Sequence, residues 1–157
     1  MPFFTGEHET VIGAKRRLAV SSALRDEQQP GDGEQFYMVL GPDKRLWLYP
    51  DGYYRKLASS MKRSLLPSRQ VSKMSLFFAM ARLLKPDGQG RVVLPEKSLR
   101  RAGMENVEQV TLVGKGDHIE VWPTEQWERH VDESMASYED MLYAAADQLS
   151  AEDGVAD

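Results

Sequence analysis

The 157-residue sequence contains no cysteine, which excludes a disulfide framework, a thiolate zinc site and a cysteine nucleophile together, and fits a reducing cytoplasm. Histidine is nearly as scarce. His8, His118 and His130 stand far apart, with none of the spacings that a metal site or a nucleophilic triad uses. Long apolar runs are missing too: the best candidate, Ser75 to Leu84, is cut by Arg82 and falls short of the ~18 to 20 residues that a membrane span requires. The opening Met-Pro-Phe-Phe-Thr-Gly-Glu-His-Glu lacks a basic segment followed by an apolar core, so no secretory signal is expected. A phosphate-cradling glycine loop is also absent, because Gly88-Gln89-Gly90 has neither a third glycine nor the following helix. These absences leave no enzyme, cofactor or metal to expect, and they point to a cytoplasmic protein.

What the chain does have is charge in blocks. The net charge of −4 conceals a stretch from Tyr53 to Pro86 with eight Lys or Arg and no acid, and another from Asp132 to Asp157 with eight acids and no Lys or Arg. The acidic end reads as a solvated helix face with a fraying terminus. The basic stretch from Arg55 to Lys85 reads as a solvated face or a partner for the acidic tail of a neighbouring copy, and is not assigned to nucleic acid.

An internal duplication runs through the sequence. Val39-Leu40-Gly41 with Leu46, Leu48, Tyr49-Pro50 and Tyr54 aligns without a gap on Leu112-Val113-Gly114 with Ile119, Val121, Trp122-Pro123 and Trp127. Upstream, Lys15-Arg16-Arg17-Leu18-Ala19-Val20 falls on Gln89-Gly90-Arg91-Val92-Val93-Leu94 after a one-residue change of register. Two copies of about 70 residues exceed any solenoid repeat, so two half-domains sharing one core are expected.

Each copy has the same coarse pattern. A strand ends in a turn, Gly13-Ala14-Lys15-Arg16 or Asp87-Gly88-Gln89-Gly90, and a short apolar strand such as Arg91-Val92-Val93-Leu94 leaves it. Pro95 then suits the first turn of a short helix from Glu96 to Arg101, closed by Gly103 in a left-handed cap. Gln109 to Val113 and His118 to Trp122 flank Gly114-Lys115-Gly116-Asp117 as a hairpin. Thr124 is placed to cap a longer helix in which Trp127, Val131, Met135, Tyr138, Leu142 and Ala145 form a packing face. Between the copies, a helix is expected from about Tyr53 to Leu65, a break at Pro67, and a helix or strand through Phe77 and Phe78. The run Phe77 to Ala81 reads as core, and His118 and His130 as surface or packing residues.

The constellation that stands out is Asp87-Gly88-Gln89-Gly90-Arg91, followed by Val92-Val93-Leu94-Pro95 and Leu99-Arg100-Arg101-Ala102-Gly103. Here the chain resembles the MraZ family, whose members carry an Asp-x-x-x-Arg pattern in each half, usually with glycine before the arginine. Phe4-Thr5-Gly6, Leu112-Val113-Gly114, Ile119-Glu120-Val121-Trp122 and Trp127-Glu128 also follow the family pattern in order and spacing. The likeness spans nearly the whole chain apart from Asp26 to Glu34 and the last acidic residues. It implies an α+β, β-rich fold: two tandem AbrB-like swapped-hairpin half-domains in pseudo-two-fold duplication, with added helices. On that basis residues 4–66 form the first half, 67–80 a helical connection, 81–132 the second half and 133–157 an acidic helix and tail.

The resemblance further implies a sequence-specific DNA-binding transcriptional regulator, a repressor and autoregulator of the bacterial division and cell-wall gene cluster. It would act at the nucleoid on repeated sites in double-stranded DNA upstream of its own genes, as a ring-like homo-oligomer. Arg91 is the first candidate for reading guanine from a β-element, and Arg17 is its counterpart. Lys15, Arg16 and Arg25 in the first half and Lys97, Arg100 and Arg101 in the second would meet phosphates. Asp87 and Gly90 are assigned to the structure of the motif. The first half departs from the pattern, with Gly13 in place of aspartate, Arg16 in place of glycine and Ser21 in place of proline. Without a carboxylate to orient Arg17, base reading there should weaken while phosphate contact survives. On residue types alone, Asp87 and Arg91 could equally be an ion pair closing a turn. An oligomeric interaction scaffold that has lost specific DNA recognition is the alternative reading of the whole chain.

Overall fold

The computed structural model describes residues 1–60 and 69–156. Its elements follow in the order β1 (Glu7–Val11), β2 (Arg17–Ala19), α1 (Ser22–Arg25), β3 (Phe36–Leu40), β4 (Leu46–Pro50), α2 (Asp51–Ser59), α3 (Arg69–Met80), β5 (Arg82–Leu84), β6 (Arg91–Val93), α4 (Glu96–Arg101), β7 (Gln109–Gly114), β8 (Ile119–Pro123) and α5 (Thr124–Ala156). Met1–Thr124 forms one unit and Glu125–Asp157 a second.

The duplication is written into the sheet. Six antiparallel strands run β1-β7-β8-β4-β3-β5, so each half contributes a hairpin, β3–β4 or β7–β8, and lends its leading strand to the hairpin of the other. β1 pairs along β7, with Glu7 opposite Val113 and Val11 opposite Gln109, while β5 pairs along β3, with Leu84 opposite Phe36. The hairpins meet at the centre, where Leu46 faces Val121 and Leu48 faces Ile119. These pairs exchange equivalent positions of the repeat, as a pseudo-two-fold axis between β4 and β8 requires. The chain is therefore an α+β, β-rich protein built of two strand-exchanged halves.

Period-two alternation sorts the sheet residues onto its two faces. On one face Phe36, Met38, Leu46, Leu48, Leu84, Val110, Leu112, Ile119 and Val121, joined by Leu18, Val92 and Leu94 from β2, β6 and the residue after it, form a single core drawn from both halves. On the other, Val39, Tyr49 and Tyr54 are buried, and Tyr37, Trp47, Tyr53, Leu57 and Phe77 pack around them. The apolar run Phe77 to Ala81, open between helix and strand in the sequence, is helical as far as Met80. α3 brings Phe77 half-buried against this second cluster, while Ala79 is exposed.

Two expectations need adjustment and one open reading is decided. The helix expected from Tyr53 begins two residues earlier, at Asp51, whose acid suits a helix N-terminus. Gly52 fits there because a Cβ would lie 2.6 Å from the Gly31 carbonyl oxygen of the neighbouring loop. This helix ends at Ser59, and the positions expected to extend it to Leu65 and break it at Pro67 lie outside the described residues. The helix expected after Thr124 forms, but its stripe is not a packed face along its length: Met135, Tyr138 and Leu142 are all at least half exposed, as is Leu149 beyond it. His118, left open between surface and packing, is a packing residue. It is buried just before β8, where carboxylates and an aromatic ring enclose it.

Candidate nucleic-acid interface

β2 and β6, the strands that leave the two repeated turns, form a separate two-stranded ribbon. Arg17 stands opposite Val93, Leu18 opposite Val92 and Ala19 opposite Arg91. Leu18 and Val92 are fully buried and anchor the ribbon to the core. The alternation then puts Arg17, Ala19, Arg91 and Val93 together on the outer face. Backbone bonds from Leu94 to Arg16 (2.9 Å) and from Val20 to Gly90 (3.1 Å) extend the ribbon at both ends. They also fix the phase of the ladder, so Arg17 with Val93 and Ala19 with Arg91 are the close, non-hydrogen-bonded pairs, about 4.5 Å between Cα atoms. Arg17 and Arg91 are diagonal neighbours, ~7 to 8 Å apart across the pseudo-two-fold axis.

The turn before Arg91 is organised by one carboxylate. Asp87 Oδ1 accepts the backbone N–H of Gln89 at 2.9 Å and of Arg91 at 3.0 Å, and Oδ2 accepts Arg91 Nε at 2.9 Å. The backbone N–H of Arg91, then that of Gln89 and the guanidinium, together hold the Asp87 carboxyl below its ordinary range, so it remains ionised. Both side chains are about two-fifths exposed, and an ion pair that open to solvent contributes little stability. Its effect is geometric. Nε is bonded to Asp87, and the two terminal amino groups have no partner among the described residues, so the fork that can match guanine O6 and N7 is not engaged within the chain.

The last turn residue, Gly90, has φ +76°, and a Cβ there would sit 2.6 Å from the Arg25 guanidinium carbon. Arg25, from the first half, lies across this glycine and donates Nε to the Val20 carbonyl at 3.1 Å. One half therefore packs on the motif of the other.

The first-half turn keeps the shape without the same residues. Gly13 N–H bonds the Arg17 carbonyl at 2.8 Å, matching the Asp87 to Arg91 bond of 2.8 Å. Lys15 and Arg16 adopt left-handed φ of 59° and 58°, conformations that disfavour any residue with a Cβ. Arg16, at the place of Gly90, donates Nε to the Leu94 carbonyl at 3.0 Å, bridging to the second half instead of standing free. Arg17 has no side-chain partner among the described residues, and neither does Lys15.

The remaining cations expected to meet phosphates are dispersed. Lys97, Arg100 and Arg101 lie on α4, which starts after Pro95 and is closed by Gly103 at φ +68°. Arg100 pairs with Glu96 at 3.6 Å, and Arg101 donates to Met80 Sδ at 3.4 Å. The structure thus brings Arg17, Arg91, Lys15, Arg16 and Arg25 to the ribbon and its turns, and places the α4 cations on a separate helix.

Sequence reasoning missed a charged cluster on the second sheet face. His118 is hydrogen-bonded through Nδ1 to the Asp117 carboxylate (2.8 Å) and through Nε2 to that of Glu120 (3.0 Å), and its ring stacks on Trp47 at 3.8 Å. Trp122 Nε1 donates to Glu120, Tyr53 donates its hydroxyl to Asp117, and Arg45 lies over the Trp122 ring at 3.8 Å. Burial alone would lower the imidazole pKa, but the two carboxylate bonds outweigh it and hold it above the ordinary value. Burial likewise pushes Glu120 up, and the bonds from His118 and Trp122 bring it below the ordinary value. The signal available was His118, Glu120 and Trp122 at every second position along one strand. No group of three His, Cys, Asp or Glu among the described residues has the arrangement of a metal site, and no described helix is long and apolar enough to cross a membrane.

Residues 77–148 match the family model described as "MraZ protein, putative antitoxin-like". Over 139 residues the chain is 30% identical to the transcriptional regulator MraZ of Finegoldia magna, covering 88% of this chain and 93% of that one. It is 34% identical over 151 residues to the transcriptional regulator MraZ of Herpetosiphon aurantiacus, covering 94% and 97%. Identity to the same-named protein of Carboxydothermus hydrogenoformans is 29% over 147 residues, covering 93% and 99%. These relatives are named as regulators and not as enzymes. With a strand-exchanged duplication, an intact Asp-x-x-x-Arg turn and near full-length relatives in agreement, the chain belongs to the MraZ family.

Proposed function

We propose that the chain is a sequence-specific DNA-binding regulator of transcription, a repressor and autoregulator that acts in the cytoplasm, at the nucleoid, on DNA upstream of its own gene cluster. The observation that carries this reading is the ribbon. It sets Arg17 and Arg91 side by side on one outer face, with Arg91 held by Asp87. A two-stranded ribbon fits the major groove, and an arginine fork there distinguishes guanine by ~1 to 3 kcal/mol. The names of the relatives, transcriptional regulators, support the same reading. In this division of labour Arg91 reads bases and Arg17 does so less strictly, while Lys15, Arg16, Arg25, Lys97, Arg100 and Arg101 contact phosphates; Asp87 and Gly90 shape the motif.

One ribbon offers few contacts, so a self-associated form presenting several ribbons to repeated sites, as in a ring, would gain affinity through effective concentration. The exposed stripe of Met135, Tyr138, Leu142 and Leu149 on α5 supports self-association, because apolar surface of that extent on a helix is commonly covered by a partner. Sedimentation at micromolar concentration should give an oligomer.

The test of function is fluorescence anisotropy on the DNA upstream of the coding region, against scrambled DNA, over a salt series. The parent should prefer its own DNA, lose affinity linearly in log salt by ~0.9 per phosphate contact, and lose the preference in Arg91→Ala. Binding indifferent to both sequence and Arg91 would overturn the reading in favour of an oligomeric scaffold.

A further inference from the structure

The outer face of the ribbon carries two residues that charge does not explain. Val93 is 50% exposed, although the apolar residues beside it in sequence, Val92 and Leu94, are fully buried. Ala19 is exposed on the partner strand. Each stands directly opposite an arginine, Val93 opposite Arg17 and Ala19 opposite Arg91, in the close type of antiparallel pair. The face is therefore a checkerboard in which every guanidinium rises beside a methyl-bearing side chain.

In the major groove the hydrogen-bonding edge of guanine and the C5-methyl of thymine are the complementary targets of those two chemistries. We propose that Val93 and Ala19 are specificity-determining residues that read thymine methyls beside the bases met by Arg17 and Arg91. This rests on the DNA-binding reading above. Val93 is the stronger of the two, for it offers two methyls on a β-branched side chain with restricted χ1, so its contact surface is presented with little loss of rotamer freedom. Ala19 offers one methyl close to the backbone, which allows the arginine opposite it to approach the base more deeply. The first half, whose arginine lacks a carboxylate brace, thus faces the larger apolar reader, and the second half, whose arginine is braced, the smaller.

The test uses the full chain and the shortest duplex from the upstream DNA that the parent binds in preference to scrambled DNA. Each thymine is replaced singly by deoxyuridine, which removes only the C5-methyl, and affinity is measured for parent, Val93→Ala and Arg91→Ala. At one or more thymines the parent should weaken about threefold to fivefold, the effect of removing one buried methyl group. Val93→Ala should bind the thymine duplex about as weakly as the parent binds the uracil one, and should be insensitive to uracil at that position alone. Circular dichroism of Val93→Ala checks that the ribbon variant is folded, as expected for a half-exposed side chain. If the parent discriminates its DNA and needs Arg91, yet no uracil substitution matters or Val93→Ala keeps the full uracil effect, the proposal is overturned while the regulator reading survives. Absence of any sequence preference overturns both.

Discussion

Replacing Gly90 by alanine tests whether the two halves are locked together at the motif. At φ +76° a Cβ adds ~1 to 2 kcal/mol of backbone strain, offset in part by ~0.4 to 1 kcal/mol because the unfolded chain loses freedom. The new methyl would also lie 2.6 Å from Arg25 Cζ and 2.8 Å from its Nε, against the ~3.5 to 4.0 Å that carbon contacts require. Arg25 is a flexible side chain and can withdraw, but only by giving up its 3.1 Å bond to the Val20 carbonyl, a net loss of ~1 kcal/mol. Gly90→Ala should therefore destabilise the parent by about 2 kcal/mol, and the Arg25→Ala variant, where no guanidinium is in the way, by only about 1 kcal/mol. Urea unfolding followed by tryptophan fluorescence gives all four corners of the cycle. Equal effects of Gly90→Ala in both backgrounds would refute the packing of Arg25 on the second-half turn.

Three further outcomes are expected. Asp87→Asn keeps an oxygen for the two backbone N–H groups but sets an amide N–H donor where Oδ2 accepted Arg91 Nε, so folding should change little while discrimination between own and scrambled DNA falls; urea unfolding and anisotropy on the same samples check both. Lys15→Gly relieves a left-handed φ of 59° and should leave stability equal or raise it by up to ~1 kcal/mol, while lowering the salt slope of DNA binding by ~0.9 if Lys15 meets a phosphate. His118, raised in the folded state, contributes stability that is full below its unfolded pKa of about 6.5 and is lost as pH rises through the folded value. Glu120, lowered in the folded state, contributes above about 4.3 and loses its contribution as pH falls through the folded value, so this coupled pair favours the fold most between those limits. The urea midpoint of the parent should thus fall as pH rises from the unfolded imidazole value of about 6.5 through the higher folded one, and that of His118→Gln should fall less; parallel pH profiles would show that the cluster does not carry the effect.

Much of the architecture was legible because it rests on local chemistry. Gly114 to Asp117 marks a hairpin, Pro95 and Gly103 bracket a six-residue helix, and the repeated turns mark two short apolar strands, though not their pairing into a ribbon across more than 70 residues. The family's swapped-hairpin arrangement entered through resemblance, since nothing local in Glu7–Val11 tells it to pair with Gln109–Gly114, about a hundred residues away, instead of with its own half. The site divides in the same way. Asp87 and Arg91 stand out by spacing, but their role entered through the family resemblance, whereas the left-handed backbone at Lys15 and Arg16 lacks the glycine that would reveal it. Arg16 reads in the sequence as a free cation, and only the folded chain brings the Leu94 carbonyl within 3.0 Å of it. His118 and its carboxylates carry no sequence mark of burial, because a buried charge is recognisable only once its partners and the stacked Trp47 are in place. The stripe on α5 is visible as a period, but a period does not reveal that Met135, Tyr138 and Leu142 stay at least half exposed in the folded chain.

The central claim is that Arg91 donates its two unengaged amino groups to guanine. The most direct measurement replaces single guanines of the bound duplex by 7-deazaguanine, which removes the N7 acceptor and leaves base pairing intact, and compares parent with Arg91→Ala. One guanine position should weaken the parent by about tenfold and leave the already weakened Arg91→Ala protein unchanged. A parent indifferent to every such substitution, or a variant that loses as much as the parent at the same guanine, would contradict it.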